Sequence, residues 1–201
     1  MTFQIPENIA PENYPLVWLL GSWRGAGVLS YSGIEPAGYL HELTLQNIGS
    51  SPFVEVTSTV WLAQQDAGVV DKEVPGSAMY EELTKGDVWS STVGFVRAVP
   101  GVAKHGDATI LEATSAQPSG YALTWAGYIQ GPQMKMAADA IASTPAATAN
   151  LQGQQLMVGL VNSDVFYALD MAAFGHEMAT YMAGRLSRVQ VNDGSSFRTK
   201  A

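Results

Sequence analysis

Few side chains in this sequence have the types and spacing from which a reactive or metal-binding site is built. The three histidines, His41, His105 and His176, lie far apart and show no metal-ligand spacing. No GxSxG nucleophile elbow is present, and the acidic residues show no paired arrangement for acid–base catalysis. The chain has no cysteine, which excludes disulfides, thiol chemistry and Cys-based metal sites. Residue patterns alone therefore predict neither a catalytic residue nor a metal site.

His41 is the histidine with the most informative surroundings. It alternates with Tyr39, Leu43 and Leu45, so all four side chains share one face of a predicted strand. A lone histidine on an apolar face is usually a hydrogen-bonded core residue, and an iron-ligand role is the alternative. We expect His41 to point inward. His105, beside Gly106, is predicted in a loop, and His176, beside Gly175, is predicted in a turn.

The charge balance argues against two classes of partner. Ten Lys and Arg residues stand against eighteen Asp and Glu residues, which gives a net charge of −8 and a pI of about 4.7. Because an acidic surface repels phosphate groups, binding to nucleic acid or to anionic lipid is disfavoured. The N-terminus lacks the basic and apolar regions of a signal peptide, and the apolar run at residues 16–20 is too short to span a bilayer. We therefore expect a cytoplasmic protein without membrane insertion.

Short β-rich runs indicate the elements that must hold these side chains. Gly, Pro, Asn or Ser marks nearly every boundary between the runs. The predicted strands are residues 39–46, 53–61, 89–96, 109–114, 120–129, 134–141, 154–161, 165–171 and 178–189. Only residues 10–20 and 78–85 look helical, and residues 66–85 are predicted as a long loop or insertion. About nine or ten short strands at regular spacing indicate an all-β sandwich or an up-and-down barrel.

The most distinctive segment has the form GxWxGxG, built from Gly21, Trp23, Gly25 and Gly27. A tryptophan between closely spaced glycines suits the first strand of a small barrel. The indole fills one end of the core, and the glycines let the backbone curve and approach a neighbouring strand.

This motif resembles the GxWxGxG signature of the nitrobindins, small haem-binding β-barrels similar in shape to fatty-acid-binding proteins and lipocalins. The resemblance continues through residues 31–36, 40–53 and 117–120 and through the DMAAFG segment at residues 170–175. It implies a closed, antiparallel up-and-down β-barrel of about ten strands with one or two short helices. Residues 1–13 are then an N-terminal extension, residues 14–190 the barrel domain, and residues 191–201 a C-terminal tail that we expect to be flexible.

Both positions that match the family's haem contacts are substituted. The family binds haem iron through a histidine in the last strand, and the matching residue here is Tyr181; a threonine that touches the haem corresponds to Gly33. A phenolate can ligate ferric iron if a cation lowers the tyrosine pKa, and Arg185, four residues along the strand, is the candidate cation. The simpler interpretation is that Tyr181 fills the barrel with its hydroxyl hydrogen-bonded. His41, Tyr181 and Arg185 are the predicted cavity-lining residues.

The resemblance leaves three functions open. The first is a barrel that binds a small hydrophobic or amphipathic, lipid-like molecule and has lost the iron ligand. The second is a haem b protein with the family's NO binding or peroxynitrite isomerisation, using Tyr181 or another ligand. The third is an empty barrel that serves as an interaction module. We favour the first, with no cofactor and no enzymatic activity; the identity of the ligand and the oligomeric state stay open.

Overall fold

Ten antiparallel strands form a closed β-barrel in the computed structural model, which describes residues 9–71, 73–99 and 107–189. Each strand pairs with its neighbours in sequence, and β1 also pairs with β10, which closes the barrel. The strands are β1 (Gly21–Tyr31), β2 (Ile34–Asn47), β3 (Val54–Ala63), β4 (Lys85–Ala98), β5 (Thr109–Gln117), β6 (Tyr121–Gln130), β7 (Gln133–Ser143), β8 (Gly153–Val161), β9 (Asp164–Ala172) and β10 (Ala179–Arg188). The prediction of an all-β, up-and-down barrel of about ten strands is confirmed, and the sandwich alternative is wrong.

Short helical segments connect and cover the strands. A 3₁₀-helix spans Pro11–Leu19, a single 3₁₀ turn spans Ala67–Val69, and the α-helix α1 spans Gly76–Glu82. The last two lie in the long connection between β3 and β4, where the sequence predicted an insertion. Helix α1 covers the outer face of the barrel, because its Met79 and the following residue, Leu83, pack against Ala26 and Leu40. Within the described ranges, no helix is long and apolar enough to cross a membrane.

The N-terminal 3₁₀-helix closes one end of the barrel. Leu16 and Leu19 are buried against residues from several strands of the wall, including Trp23 of β1 and Leu186 of β10. Asn13 is fully buried, and its amide donates hydrogen bonds to the end of β2 and to the turn before β3. The predicted boundary between an extension and a barrel domain at residue 14 thus falls inside this helix. The predicted C-terminal tail and His105 lie outside the described residues.

Candidate functional site

A cavity of about 650 Å³ fills the barrel above the N-terminal 3₁₀-helix. Leu19 of the helix forms part of its floor. At the opposite rim it is lined by Gly33, Ser119 and Phe174, which lie in turns between strands and are exposed, so the cavity reaches the surface there. This volume lies within the range of about 300–1,000 Å³ that is typical of small-molecule sites.

The cavity wall is apolar and carries a few neutral polar groups. Strand alternation directs Val56, Ser58 and Val60 of β3 inward, and it does the same for His41 and Leu43 of β2. No Asp, Glu, Lys or Arg side chain lines the cavity in the part of the chain that the structure describes. The wall therefore offers hydrogen bonds to a ligand but no formal charge.

The GxWxGxG motif supports the cavity from β1. Trp23 is buried under the 3₁₀-helix, and its indole N–H donates to the carbonyl oxygen of Leu19 at 2.8 Å. A Cβ at Gly25 would lie 2.0 Å from a carbonyl oxygen of β10, so this position must be glycine for the two strands to approach closely. A Cβ at Gly27 would lie 2.3 Å from the hydroxyl oxygen of Tyr39. The last glycine of the motif therefore makes room for a buried phenol.

This phenol begins a row of hydrogen bonds inside the barrel. The hydroxyl oxygens of Tyr39 and Tyr167 are 2.6 Å apart, and the Tyr167 hydroxyl lies 2.8 Å from Nδ1 of His41. On the other side of the imidazole, Nε2 lies 2.8 Å from Oγ of Ser58. We call these four side chains the inner polar network. Three of its members, His41, Ser58 and Tyr167, line the cavity.

The direction of the hydrogen bonds in the inner polar network follows from the surroundings of Tyr39. Tyr39 is fully buried and Tyr167 is its only hydrogen-bond partner among the described residues, so its proton goes to the Tyr167 oxygen. Tyr167 then donates to Nδ1 of His41, and Nε2–H of His41 donates to Ser58. The opposite direction would leave the Tyr39 proton buried without an acceptor, which costs about 1–3 kcal/mol. In the favoured direction, the only proton of the network without an acceptor within it is that of the Ser58 hydroxyl, which lies at the cavity wall.

Burial keeps the inner polar network neutral. It lowers the pKa of His41 from 6.5 to about 4, and a small opposing effect of Glu42 does not reverse this. Burial also raises the pKa of both Tyr39 and Tyr167 above the ordinary value of 10.0. At neutral pH the network is therefore a set of uncharged donors and acceptors.

Tyr181 and Trp89 make a bond across the cavity. The indole N–H of Trp89 donates to the hydroxyl oxygen of Tyr181, and both side chains line the cavity. Because β1, β2 and β3 separate β10 from β4 around the wall, this bond joins distant parts of the wall, on the solvent-exposed side of the cavity. Burial raises the pKa of Tyr181 above its usual value, and the bond from Trp89 offsets only part of that effect. Tyr181 is thus a neutral phenol.

Arg185 does not line the cavity, and this part of the prediction is wrong. A register shift in β10 between Thr180 and Met182 breaks the strict alternation of side chains, so positions four apart no longer share a face. Arg185 lies on the outer face, where its Nε donates to the Asp164 carboxylate at 2.7 Å. The cation proposed to ionise Tyr181 is therefore bound elsewhere.

The remaining candidate positions lie in turns at the open end of the barrel, and of these Gly33 lines the cavity. Gly33 adopts a φ of +78° in the turn between β1 and β2, a conformation that favours glycine. His176 lies in the turn between β9 and β10, where its ring contacts the edge of Tyr31. Among the described residues, no group of three or more His, Cys, Asp or Glu side chains is placed to hold a metal ion.

Sequence reasoning missed four residues of the site: Tyr39 as a hydrogen-bonding group, Ser58, Trp89 and Tyr167. The inward face of β2 was predicted, and Tyr39 lies on it, but its role depends on Tyr167, 128 residues away in the chain. The one available signal was the alternation of β3, which places Ser58 on the same face as Val56 and Val60.

Comparison with known proteins agrees with the barrel fold. Residues 12–188 match the family model of the THAP4-like, heme-binding beta-barrel domain. The chain is 33% identical to the ferric nitrobindin-like protein of Beutenbergia cavernae, over 94% of this chain and 100% of the relative. It is 29% identical to a peroxynitrite isomerase of Kocuria rhizophila, over 94% and 97% of the two chains. The crystal structure of Rv2717c from M. tuberculosis superposes with a TM-score of 0.69 at 24% identity, covering 90% of this chain and 99% of that one, which supports the fold.

Proposed function

The chain belongs to the nitrobindin family of THAP4-like, heme-binding beta-barrel domains, and we propose that its cavity binds a small apolar or amphipathic molecule without a haem iron. The observation that carries this proposal is the bond between Tyr181 and Trp89. Tyr181 stands where the family's motif places the iron-binding histidine, and its oxygen accepts the indole proton of Trp89 across the cavity. The ligand is therefore held by the wall of the barrel and not by a metal.

The donor atoms at the cavity do not fit a haem iron. Axial ligation by histidine needs a ring nitrogen with a free lone pair. Both ring nitrogens of His41 are 2.8 Å from hydrogen-bond partners, and the lone pair of Nδ1 accepts the Tyr167 proton. Ligation by Tyr181 needs a phenolate, yet burial raises the pKa of that group. Its candidate cation, Arg185, is bound to Asp164 on the outer face.

The shape and chemistry of the cavity fit an apolar molecule. Aliphatic and aromatic side chains from all around the barrel make up most of its wall, and one rim is open to solvent. Each CH₂ group that leaves water for such a wall contributes about 0.8 kcal/mol to binding. A ligand of modest size is therefore held by its apolar body, and the few neutral polar groups set its orientation.

Titration of the purified protein with ferric haem tests the absence of an iron ligand. We expect the wild type and Tyr181→Phe to produce no stoichiometric Soret band. Tyr181→His returns an imidazole to the family's ligand position, and a Soret band in that variant would demonstrate that only the ligand is missing. A phenolate-type spectrum in the wild type that disappears in Tyr181→Phe would contradict the proposal and favour a haem protein.

Binding of the neutral fluorescent probe N-phenylnaphthylamine tests the apolar site directly. We expect saturable enhancement of its fluorescence with one site per chain. A large residue in the middle of the wall, as in Val60→Trp, fills the cavity and abolishes this binding, whereas the exposed surface substitution Val161→Trp leaves it unchanged. Equal probe binding by both variants, or none by the wild type, would refute a ligand site inside the barrel.

A further inference from the structure

The inner polar network ends in a hydroxyl group that has no acceptor of its own. We infer that the ligand of this cavity is an uncharged molecule whose hydrogen-bond acceptor, such as a ketone or ester oxygen, binds the hydroxyl of Ser58. This inference rests on the proposed function and specifies the chemical class of the ligand. It follows from the direction of the network, from the absence of charge at the wall, and from a second buried hydroxyl.

The packing around Tyr39 fixes the direction of the network. The Tyr39 hydroxyl lies against β1 and β10, where a Cβ at Gly27 or at Gly184 would be 2.3 Å or 2.7 Å from its oxygen. In this tight site Tyr39 can donate only to Tyr167, and each later member then donates to the next. His41 is consequently the Nε2–H tautomer, and the Ser58 oxygen accepts from it. Ser58 makes no further hydrogen bond to any described residue, so its own proton is offered to the contents of the cavity.

The lack of charge at the wall selects a neutral ligand. A carboxylate buried in this cavity would meet no Lys or Arg side chain among the described lining residues. His41 cannot supply the missing charge, because burial lowers its pKa to about 4. Burial of an unpaired charge is costly, whereas a neutral oxygen needs only one donor. The barrel therefore discriminates against fatty-acid anions in favour of their uncharged analogues.

Tyr121 presents a second polar group in the same cavity. Its side chain is 6% exposed, and its hydroxyl has no hydrogen-bond partner among the described residues. Buried hydroxyl groups are nearly always satisfied, so this one requires water or a ligand atom. Tyr121 lines the cavity and follows the β5–β6 turn at the rim. A ligand with a second neutral polar group near the rim would satisfy it.

Displacement of N-phenylnaphthylamine by three related compounds tests the inference. Benzylacetone carries a ketone, butylbenzene has no polar group, and phenylbutyrate is an anion at neutral pH. The quantity of interest is the ratio of the benzylacetone affinity to the butylbenzene affinity, because apolar burial largely cancels in it. We expect Ser58→Ala to lower this ratio about threefold to tenfold, the value of one neutral hydrogen bond. Ser90→Ala removes another cavity hydroxyl outside the network and should leave the ratio unchanged.

Each outcome bears on one of the two proposals. An unchanged ratio in Ser58→Ala, an equal fall in Ser90→Ala, or tighter binding of phenylbutyrate than of benzylacetone would overturn the inference. Failure of every compound and of the probe to bind the folded wild type would overturn the proposed function instead. The ring-nitrogen chemical shifts of His41 in the wild type give a test without mutation. The Nε2–H tautomer is expected, and the Nδ1–H tautomer would reverse the network and overturn the role of Ser58.

Discussion

Mild acid should destabilise this protein through His41. The unfolded chain binds a proton to this histidine with a pKa near 6.5, whereas burial lowers the folded-state pKa to about 4. Between these values the unfolded state binds more protons, so stability is fully present above pH 6.5 and falls as the pH drops towards 4. One pKa unit corresponds to about 1.4 kcal/mol, so acidification from pH 7 to pH 5 should remove about 2 kcal/mol from the free energy of unfolding.

The inner polar network gives this loss a structural cause. A proton on Nδ1 of His41 would displace the proton that Tyr167 donates there, and Tyr167 would then have to turn towards Tyr39. Tyr39 has no other acceptor among the described residues, so protonation of one ring disturbs three buried groups.

Urea unfolding at pH 7 and pH 5 measures the effect. His41→Gln is the matched control, because it keeps a donor and an acceptor but does not titrate. The other two histidines and all surface carboxylates are present in both proteins, so their contributions cancel in the comparison. We expect the wild type to lose about 2 kcal/mol more than His41→Gln over this interval. The same loss in both proteins would refute the assignment of His41 as a buried neutral ring.

Four further substitutions test the supports of the barrel by urea unfolding. Trp23→Phe removes the indole proton donated to the buried Leu19 carbonyl and should cost about 2 kcal/mol; a change below about 0.5 kcal/mol would show that this bond does not hold the helix. Gly27→Ala places a methyl group against the first hydroxyl of the inner polar network and should cost about 1–3 kcal/mol, and an unchanged midpoint would contradict that close approach. Asp164→Asn breaks a largely buried ion pair and should lower the free energy of unfolding by about 1–2 kcal/mol. Glu112→Gln breaks an exposed ion pair and should lower it by less than about 0.5 kcal/mol. Equal losses in the two variants would contradict the expectation that burial makes the Asp164 pair more important.

The fold was predictable because its signals are local. Alternation along residues 39–45 identified the inward face of β2, and His41 lies on that face. The glycine spacing from Gly21 to Gly27 marked the strand that the 3₁₀-helix covers and that closes the barrel against β10. Each of these signals depends only on residues that are close together in the chain, so it can be recognised from the sequence alone.

The cavity was predictable only in part, because its details depend on contacts between distant residues and on one irregularity. The register shift beside Met182 removes Arg185 from the inner face, and no turn residue or glycine marks it in the sequence. The partner of Tyr181 is Trp89 on β4, which is 92 residues away in the chain, so no local pattern could link the two side chains. A single displaced residue in a strand thus changes which side chains meet a ligand, although it leaves the barrel unchanged.

The inner polar network and the bond between Tyr181 and Trp89 are separate parts of the cavity wall. Gly27 makes room for Tyr39, and Tyr39 sets the direction of the hydrogen bonds that end at Ser58. Tyr181 forms no hydrogen bond to any member of that network; its hydroxyl binds Trp89 instead. We therefore expect a substitution at position 181 to leave the inner polar network undisturbed. The same reasoning predicts that Tyr181→His and Ser58→Ala act independently, the first on haem binding and the second on the choice between a ketone and a hydrocarbon, and a double variant would measure that independence directly.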